Sequence, residues 1–334
     1  MNRIKSKFYL LEYFSAPGAK RNGNDKKYFF KHVLPWLIVI GVFVYLFCRI
    51  DRGQFYYSLL QADIGYYIFW LAVFSVAGFL VDAQNLHSIL FHFRHPVSYI
   101  EALIIKGLSY ILMMVNYVAG IGAIVYYLHR DKNISFIRST GLMMIYNMSS
   151  RNSLLMLSGI GVLIAPYSST LLDNIFVMCV ILLAVFIVWI LVLKLLPDTG
   201  KIKKFKELQL VKVFHEASWK SYILITLGRM IYYSLFIALF YMGVRAFNME
   251  MPLLHLAIYV PIIMLIMSLP VTPFGLGTSQ AAMVLFFKGF GTEANILAFG
   301  VTYSTSLIII RGMIGLLCLK LKRSREYTQN PCMK

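Results

Sequence analysis

Six stretches of the chain are apolar enough, and long enough, to cross a lipid bilayer as helices. A spanning helix needs about 20 mainly apolar residues, because every backbone polar group in the hydrocarbon core must be bonded internally. Hydrophobic residues make up 59% of the sequence and charged residues 14%, well below the share in soluble domains. An all-α integral membrane protein is therefore predicted. The predicted spans are 34–50, 64–90, 136–165, 171–193, 221–244 and 295–319.

Two further apolar stretches, 101–128 and 255–287, are each interrupted by turn-forming residues near the middle. We interpret each as two half-length helices around a loop, forming a re-entrant helical hairpin. The alternative for 255–287 is one spanning helix kinked at proline. The interrupting residues are Asn116, Gly120 and Gly122 in the first stretch and Pro270, Pro273, Gly275 and Gly277 in the second.

The basic residues are concentrated in five segments. The chain has 32 Lys and Arg against 14 Asp and Glu, a net charge of +18. Basic residues mark the cytoplasmic side of short loops. Segments 91–106 and 129–138 would fall on opposite sides if 101–128 crossed once, so the first hairpin is predicted to enter and leave from the cytoplasm. The second then enters and leaves from the exterior. Segments 1–33, 91–106, 129–138, 194–220 and 320–334 hold eight, two, three, seven and five Lys or Arg residues.

The order of these elements predicts an inverted-topology repeat. Residues 34–165, with hairpin 101–128, and residues 171–319, with hairpin 255–287, each read span, span, hairpin, span, starting from opposite faces. Transporters with this repeat place a substrate site near the bilayer midplane. Residues 1–33 and 320–334 are then basic cytoplasmic tails of a multi-pass plasma-membrane protein, and no removable signal peptide is expected.

Three arginines, Arg151, Arg229 and Arg311, lie inside apolar spans, where each costs about 2.5–3.5 kcal/mol to insert. Asp82 is the obvious intramembrane counter-charge. An excess of buried positive charge suits an anionic guest such as a lipid phosphate, which arginine binds with paired hydrogen bonds. Alternatively, the arginines bond hairpin carbonyls or extend to an interface.

The hairpin tips offer a second means of holding an anion. A half-helix that begins at a tip exposes free N–H groups and the positive end of its dipole. Thr278 and Ser279 are predicted to be N-caps of such a half-helix. The candidate substrate-binding residues are therefore Arg151, Arg229, Arg311, Asn116, Gly122, Pro273, Gly275, Gly277, Thr278, Ser279 and Gln280.

The sequence contains no recognisable catalytic, metal-binding or phosphate-loop motif. Its four cysteines do not have the spacing of a zinc site or a disulfide framework. We therefore expect no catalytic residue, no metal and no cofactor, and no enzymatic activity. The long apolar stretches also argue against a nucleic-acid partner, despite the net positive charge.

The second hairpin carries a family resemblance. Residues 269–282, which run Leu-Pro-Val-Thr-Pro-Phe-Gly-Leu-Gly-Thr-Ser-Gln-Ala-Ala, are similar to the Pro-rich Gly-x-Gly-x-x-Glu-Ala signature of the lysylphosphatidylglycerol synthase transmembrane-region family. Asn116 with Gly122, and Arg151, resemble further conserved positions of that family. The chain departs from the pattern at Gln280 and Ser150, where the family has Glu. These departures argue against a proton-coupled step at those carboxylates.

The resemblance implies handling of anionic lipids, either phospholipids or polyprenyl-phosphate-linked glycans. Synthase members carry a soluble aminoacyl-transfer domain after the membrane part. Only residues 320–334 follow the last predicted span here, so we do not expect synthesis of lysylphosphatidylglycerol.

The leading functional hypothesis is a flippase-like transporter that moves an anionic lipid between leaflets. The rival hypothesis is a non-transporting membrane subunit that presents a lipid carrier to a glycosyltransferase or another envelope-biosynthesis protein. A third is a membrane enzyme whose site has no recognisable motif. The sequence leaves the identity of the lipid and the oligomeric state open.

Overall fold

A computed structural model describes residues 34–95, 97–114, 117–166, 169–195, 208–268, 272 and 275–329. These residues form twelve helices and no strands, so the all-α class is confirmed. The helices are α1 (Leu34–Arg49), α2 (Arg52–Gln61), α3 (Ile64–His92), α4 (Tyr99–Met113), α5 (Tyr117–Lys132), α6 (Phe136–Leu163), α7 (Thr170–Leu195), α8 (Gln209–Glu216), α9 (Trp219–Ala246), α10 (Leu253–Met267), α11 (Thr278–Phe287) and α12 (Glu293–Gln329).

Four of these helices, α3, α7, α9 and α12, are long and apolar enough to cross a membrane by length and composition. Two other predicted spans differ in character. Helix α1 has 16 residues, and α6 has 28 but includes two arginines, two asparagines and several buried serines that face other helices. The count of six spans therefore stays a prediction.

The first interrupted stretch consists of two antiparallel helices, α4 and α5. At one end Lys132 Nζ lies 2.8 Å from Glu101 Oε1. Near the other end Gly120 packs against Met113 and the Ser109 carbonyl. A capping box starts α4, in which Ser98 Oγ accepts the Glu101 N–H and the Glu101 carboxylate accepts the Ser98 N–H. This stretch is therefore two helices with adjacent outer ends, as predicted.

The second interrupted stretch also forms an antiparallel pair, α10 and α11. The ring centroids of Tyr259 and Phe286 lie 5.2 Å apart, and Gly275 contacts Met267 near the tip. A single kinked helix cannot make these contacts, so the kinked-helix alternative for 255–287 is wrong. Whether either pair is re-entrant stays a prediction.

Most equivalent helices of the two halves have equivalent neighbours, but the first helices differ, since α7 packs on α6 and α1 packs on α11. Helices α3 and α9 pack on each other in the middle of the bundle. Helix α4 of the first half packs on α12, and its equivalent α10 packs on α6. Helix α2 also packs on α12, and its equivalent α8 also packs on α6. Likewise α3 packs on α4 as α9 packs on α10, and α5 packs on α6 as α11 packs on α12. Each hairpin thus docks against the last long helix of the other half.

The described parts of the basic segments 91–106, 129–138, 194–220 and 320–334 meet at one end of the bundle. Four ion pairs of the described residues lie there: Lys132–Glu101 at 2.8 Å, Arg138–Glu216 at 3.0 Å, Lys322–Asp131 at 3.1 Å and Lys212–Glu216 at 3.9 Å. Partial burial and the neighbouring Arg138 lower the pKa of His95, so its neutral ring accepts a hydrogen bond from Arg138. The opposite end is held by hydrogen bonds from Asp63 N–H to Ala246 O, Asn248 Nδ2 to Gln61 O and Asn295 Nδ2 to Phe247 O. We call these the basic end and the opposite end.

A close crossing of α4 and α12 fixes the first hairpin, and Gly107 makes it possible. A Cβ at Gly107 would lie 2.2 Å from Cys318 Sγ and 2.6 Å from Cys318 Cβ. Gly107→Ala is therefore expected to lower the stability to thermal unfolding in detergent by about 1–3 kcal/mol. Gly122→Ala is the matched control, since no described heavy atom lies within 4 Å of that Cβ.

Adding Cys318→Ala to Gly107→Ala should restore part of the lost stability, because it removes the colliding sulfur. Unfolding of Gly107→Ala at the wild-type temperature would contradict this packing.

Candidate functional site

A buried ion cluster joins both halves of the chain. Asp82 of α3 pairs with Lys106 of α4 at 3.2 Å and with Arg229 of α9 at 2.6 Å. The three residues are only 3–6% exposed. Since buried charges need partners, this carboxylate ties the first hairpin to the central α3–α9 pair.

Two tyrosines complete the ligation of Asp82. Tyr110 donates a hydrogen bond of 2.8 Å to Oδ2, and Tyr146 donates to Oδ1. With Lys106 and Arg229, the carboxylate has four donors, which is about the number that its lone pairs accept. Asp82 is therefore saturated by protein groups.

Tyrosines also surround the Arg229 guanidinium. Arg229 donates to the hydroxyls of Tyr146 and Tyr233, at 2.9 and 3.2 Å. Its guanidinium carbon lies 4.3 Å from the ring centroid of Tyr232, which places the cation over an aromatic face. Arg229 was predicted to bind substrate, but its contacts are those of a partner to Asp82.

The position of Lys106 corrects the sequence-based charge census. Lys106 was counted in the basic segment 91–106, whereas the structure buries it two turns inside α4. The signal that could have found it is the Ser98–Glu101 capping box, which sets the start of α4 at Tyr99. Arg94 is then the only Lys or Arg of that segment at the basic end.

The cluster lies near mid-depth of the long helices. Asp82 is ten residues from His92, Arg229 is ten residues from Trp219 and Arg311 is eleven residues from Lys322. At 1.5 Å per residue, each lies about 15 Å from the basic end. This is about half the thickness of a bilayer core.

Arg151 and Arg311 have no carboxylate partner among the described residues. Arg311 is half-buried, and its guanidinium carbon lies 5.7 Å from the ring centroid of Tyr110. Arg151 is exposed on α6, within electrostatic range of Tyr117 at the start of α5. Tyr117 itself donates to Asn147, one turn before Arg151. The structure thus places Arg311 beside the cluster and Arg151 near the tip of the first hairpin.

The tip of the second hairpin differs from the predicted capping. The N-cap of α11 is Gly277, with φ of +79°, and its N–H donates to Gln280 Oε1 at 2.7 Å. Thr278 and Ser279 are the first two helical residues, and both hydroxyls donate to Gly275 O. The prediction that they are N-caps is wrong, because Gly277 can adopt the positive φ and Gln280 already accepts its N–H.

Gln280 fastens this tip to α12. Its Nε2 donates to Gly300 O and Ser304 Oγ, at 3.2 and 2.8 Å. A glutamate here would bring a carboxylate to the Gly300 carbonyl and could not donate to it while ionised. An amide side chain therefore suits this position.

The glycines of the two tips have different surroundings. A Cβ at Gly277 would lie 3.2 Å from Val42 of α1, so this tip packs closely on the first helix. Gly275 also has a positive φ, of +67°. Gly122 is exposed and faces open space among the described atoms. Asn116 and Pro273 lie outside the described residues.

The structure thus brings Arg229, Arg311 and Asp82 together, and it places Arg151 near the tip of the first hairpin. Within the described ranges, no hydrogen bond or ion pair links the second tip to an arginine. The same ranges contain no group of three His, Cys, Asp or Glu side chains that could hold a metal ion. A site for an anion therefore rests on Arg151 and Arg311.

The chain was compared with known families, curated proteins and solved structures. Residues 33–315 match the family described as the lysylphosphatidylglycerol synthase TM region. No curated protein and no solved structure matches the chain. The match covers both membrane halves, from α1 into α12, and so includes the ion cluster and both hairpins. The chain therefore belongs to the lysylphosphatidylglycerol synthase transmembrane-region family, and it is a multi-pass helical membrane protein.

Proposed function

We propose that the chain is a flippase-like transporter that moves an anionic lipid between leaflets, without a chemical step. The observation that carries the proposal is that Arg151 and Arg311 have no acidic partner among the described residues, while the four donors around Asp82 already saturate that carboxylate. Asp82 offsets one of the charges of Lys106, Arg229, Arg151 and Arg311, which leaves a net +3. An anionic headgroup at this depth would offset the remainder.

The arrangement of the helices supports a transport pathway between the two halves. Equivalent neighbours in both halves are what an inverted-topology repeat would produce. In this proposal both helix pairs are re-entrant, the first from the basic end and the second from the opposite end. The basic end and both termini face the cytoplasm, in agreement with the positive-inside rule. The headgroup crosses between the hairpins while its tail stays in the bilayer.

The orientation predicts where single cysteines react. The first two variants, His92→Cys and Phe136→Cys, each carry one cysteine in a protein without the native cysteines. Both positions are exposed, and they flank the first hairpin on either side. Both should resist an impermeant thiol reagent in intact cells and react after permeabilisation. Leu60→Cys, 84% exposed at the opposite end, is the positive control and should react in intact cells. Reaction of either of the first two from outside would contradict the orientation.

Transport itself is tested by reconstitution. Purified protein in liposomes with a fluorescent anionic phospholipid should make the inner-leaflet label accessible to a membrane-impermeant quencher, faster than in empty liposomes. Lipid binding without transfer would contradict the proposal and favour a subunit that presents the lipid to a glycosyltransferase.

A further inference from the structure

A hydrogen-bonded clasp holds the loop before the first hairpin at the basic end. Arg138 of α6 donates from Nε to His95 Nε2 at 3.1 Å and from Nη2 to Glu216 Oε2 at 3.0 Å. His95 lies in the loop between α3 and α4, and Glu216 is the last residue of α8. We call His95, Arg138 and Glu216 the clasp. It joins both halves of the chain, because α8 belongs to the second half.

The direction of the bond to His95 fixes the protonation state of its ring. A guanidinium has N–H donors and no acceptor, so His95 Nε2 must offer a free lone pair to Arg138. The ring is therefore neutral in this structure. Protonation would place a proton on Nε2, abolish the bond and bring two cations into contact.

Three other described histidines make hydrogen bonds that survive protonation. The Nδ1 atoms of His87, His92 and His129 lie 2.8, 2.7 and 2.9 Å from backbone carbonyl oxygens. A carbonyl oxygen only accepts, so Nδ1 is the donor in each case, and a protonated ring donates equally well. His95 differs because it accepts its bond from a side chain that is always charged.

The charges on the neighbouring elements also oppose a cation at His95. Arg138 lies in the first turn of α6, where the helix dipole is already positive. Glu216 offsets Arg138, but it also pairs with Lys212 of its own helix at 3.9 Å. Further titratable or charged groups on these elements are His92, Arg94, His215 and the ion pair of Glu101 with Lys132.

The pH at which the clasp opens follows from the same surroundings. Partial burial, followed by the charge of Arg138, lowers the pKa of His95 below its ordinary value. The ring is therefore neutral at pH 7, and the bond from Arg138 is complete. The bond is lost as the pH falls through the lowered pKa.

We propose that the clasp is an acid-sensitive switch, in which protonation of His95 releases the loop before the first hairpin from α6 and α8. Ser98 caps α4 only three residues after His95, so release of the loop also frees the outer end of α4. The switch is a property of the fold and does not require transport. Its effect on transport rests on the proposed function, in which the headgroup passes the first hairpin.

The test measures the distance between α4 and α8 by double electron–electron resonance in lipid nanodiscs. Spin labels are attached at Ile100→Cys and Leu208→Cys, two exposed positions, in a protein without the native cysteines. Distances are measured at about pH 7.5 and about pH 5, on either side of the ordinary histidine pKa and above that of glutamate. The distance distribution should shift and broaden at the lower pH.

Three variants assign this response to the clasp. His95→Gln keeps an acceptor for Arg138 and cannot titrate, so its distance distribution should be the same at both pH values. His95→Lys carries a cation and no acceptor, so it should give the low-pH distribution at both. His92→Gln, the matched control, removes an exposed histidine outside the clasp and should respond to pH as the wild type does.

A distance distribution that is the same at both pH values with His95 present would overturn the proposal. A pH response that His95→Gln retains would overturn it as well, because another group would then be responsible. A shift that requires His95, in a protein that transfers no lipid, would support the switch and contradict only the proposed transport.

Discussion

Replacing Asp82 by asparagine is expected to lower the free energy of unfolding by about 3–5 kcal/mol, because it leaves buried cations uncompensated. Lys106 and Arg229 have no other acidic partner among the described residues. Tyr110 and Tyr146 would also lose their strongest acceptor. The shape of the side chain is unchanged, so the loss measures charge and hydrogen bonding rather than a cavity. Thermal unfolding in detergent, followed by size-exclusion chromatography, gives the measurement.

Asp173→Asn is the matched control for Asp82→Asn. Asp173 is exposed in the first turn of α7, and no ion pair involves it in the described part of the chain. Its replacement should leave unfolding nearly unchanged. Adding Lys106→Met to Asp82→Asn should recover part of the lost stability, since one uncompensated cation is removed. An unfolding temperature of Asp82→Asn equal to that of Asp173→Asn would show that the cluster does not stabilise the bundle.

The positions of the helices could be predicted well from the sequence. The predicted span 64–90 is Ile64–His92 in the structure, and 221–244 is Trp219–Ala246. Both breaks in the interrupted stretches were also predicted correctly. These features follow from local signals, namely long apolar runs and clusters of turn-forming residues, which act within one segment of chain.

Side-chain partnerships could not be predicted in the same way. Asp82 was identified as a counter-charge, but its main partners come from residues 24 and 147 positions further along the chain, Lys106 and Arg229. Such pairing depends on which helices pack together, and sequence spacing does not encode this. The same holds for Gln280, which bonds α12 as well as its own helix. Its proposed role in binding substrate stays a prediction.

The second large effect concerns function. Arg151→Gln and Arg311→Gln should each slow leaflet transfer of an anionic lipid by about tenfold to a hundredfold, since each removes a charged hydrogen bond worth about 1.5–3 kcal/mol. Neither replacement leaves an acidic partner unpaired among the described residues, so both variants should insert and fold. Lysine should rescue poorly, because it lacks the planar fork that matches phosphate oxygens. Arg245→Gln, which removes an exposed arginine from the last turn of α9, serves as the matched control.

The most direct measurement is the rate of leaflet transfer in liposomes that contain equal amounts of wild-type, Arg151→Gln, Arg311→Gln or Arg245→Gln protein. The proposed mechanism predicts transfer by the wild type and by Arg245→Gln, and strongly reduced transfer by the other two at unchanged thermal stability. Wild-type rates in both Arg151→Gln and Arg311→Gln would contradict the claim that these unpaired arginines hold the headgroup.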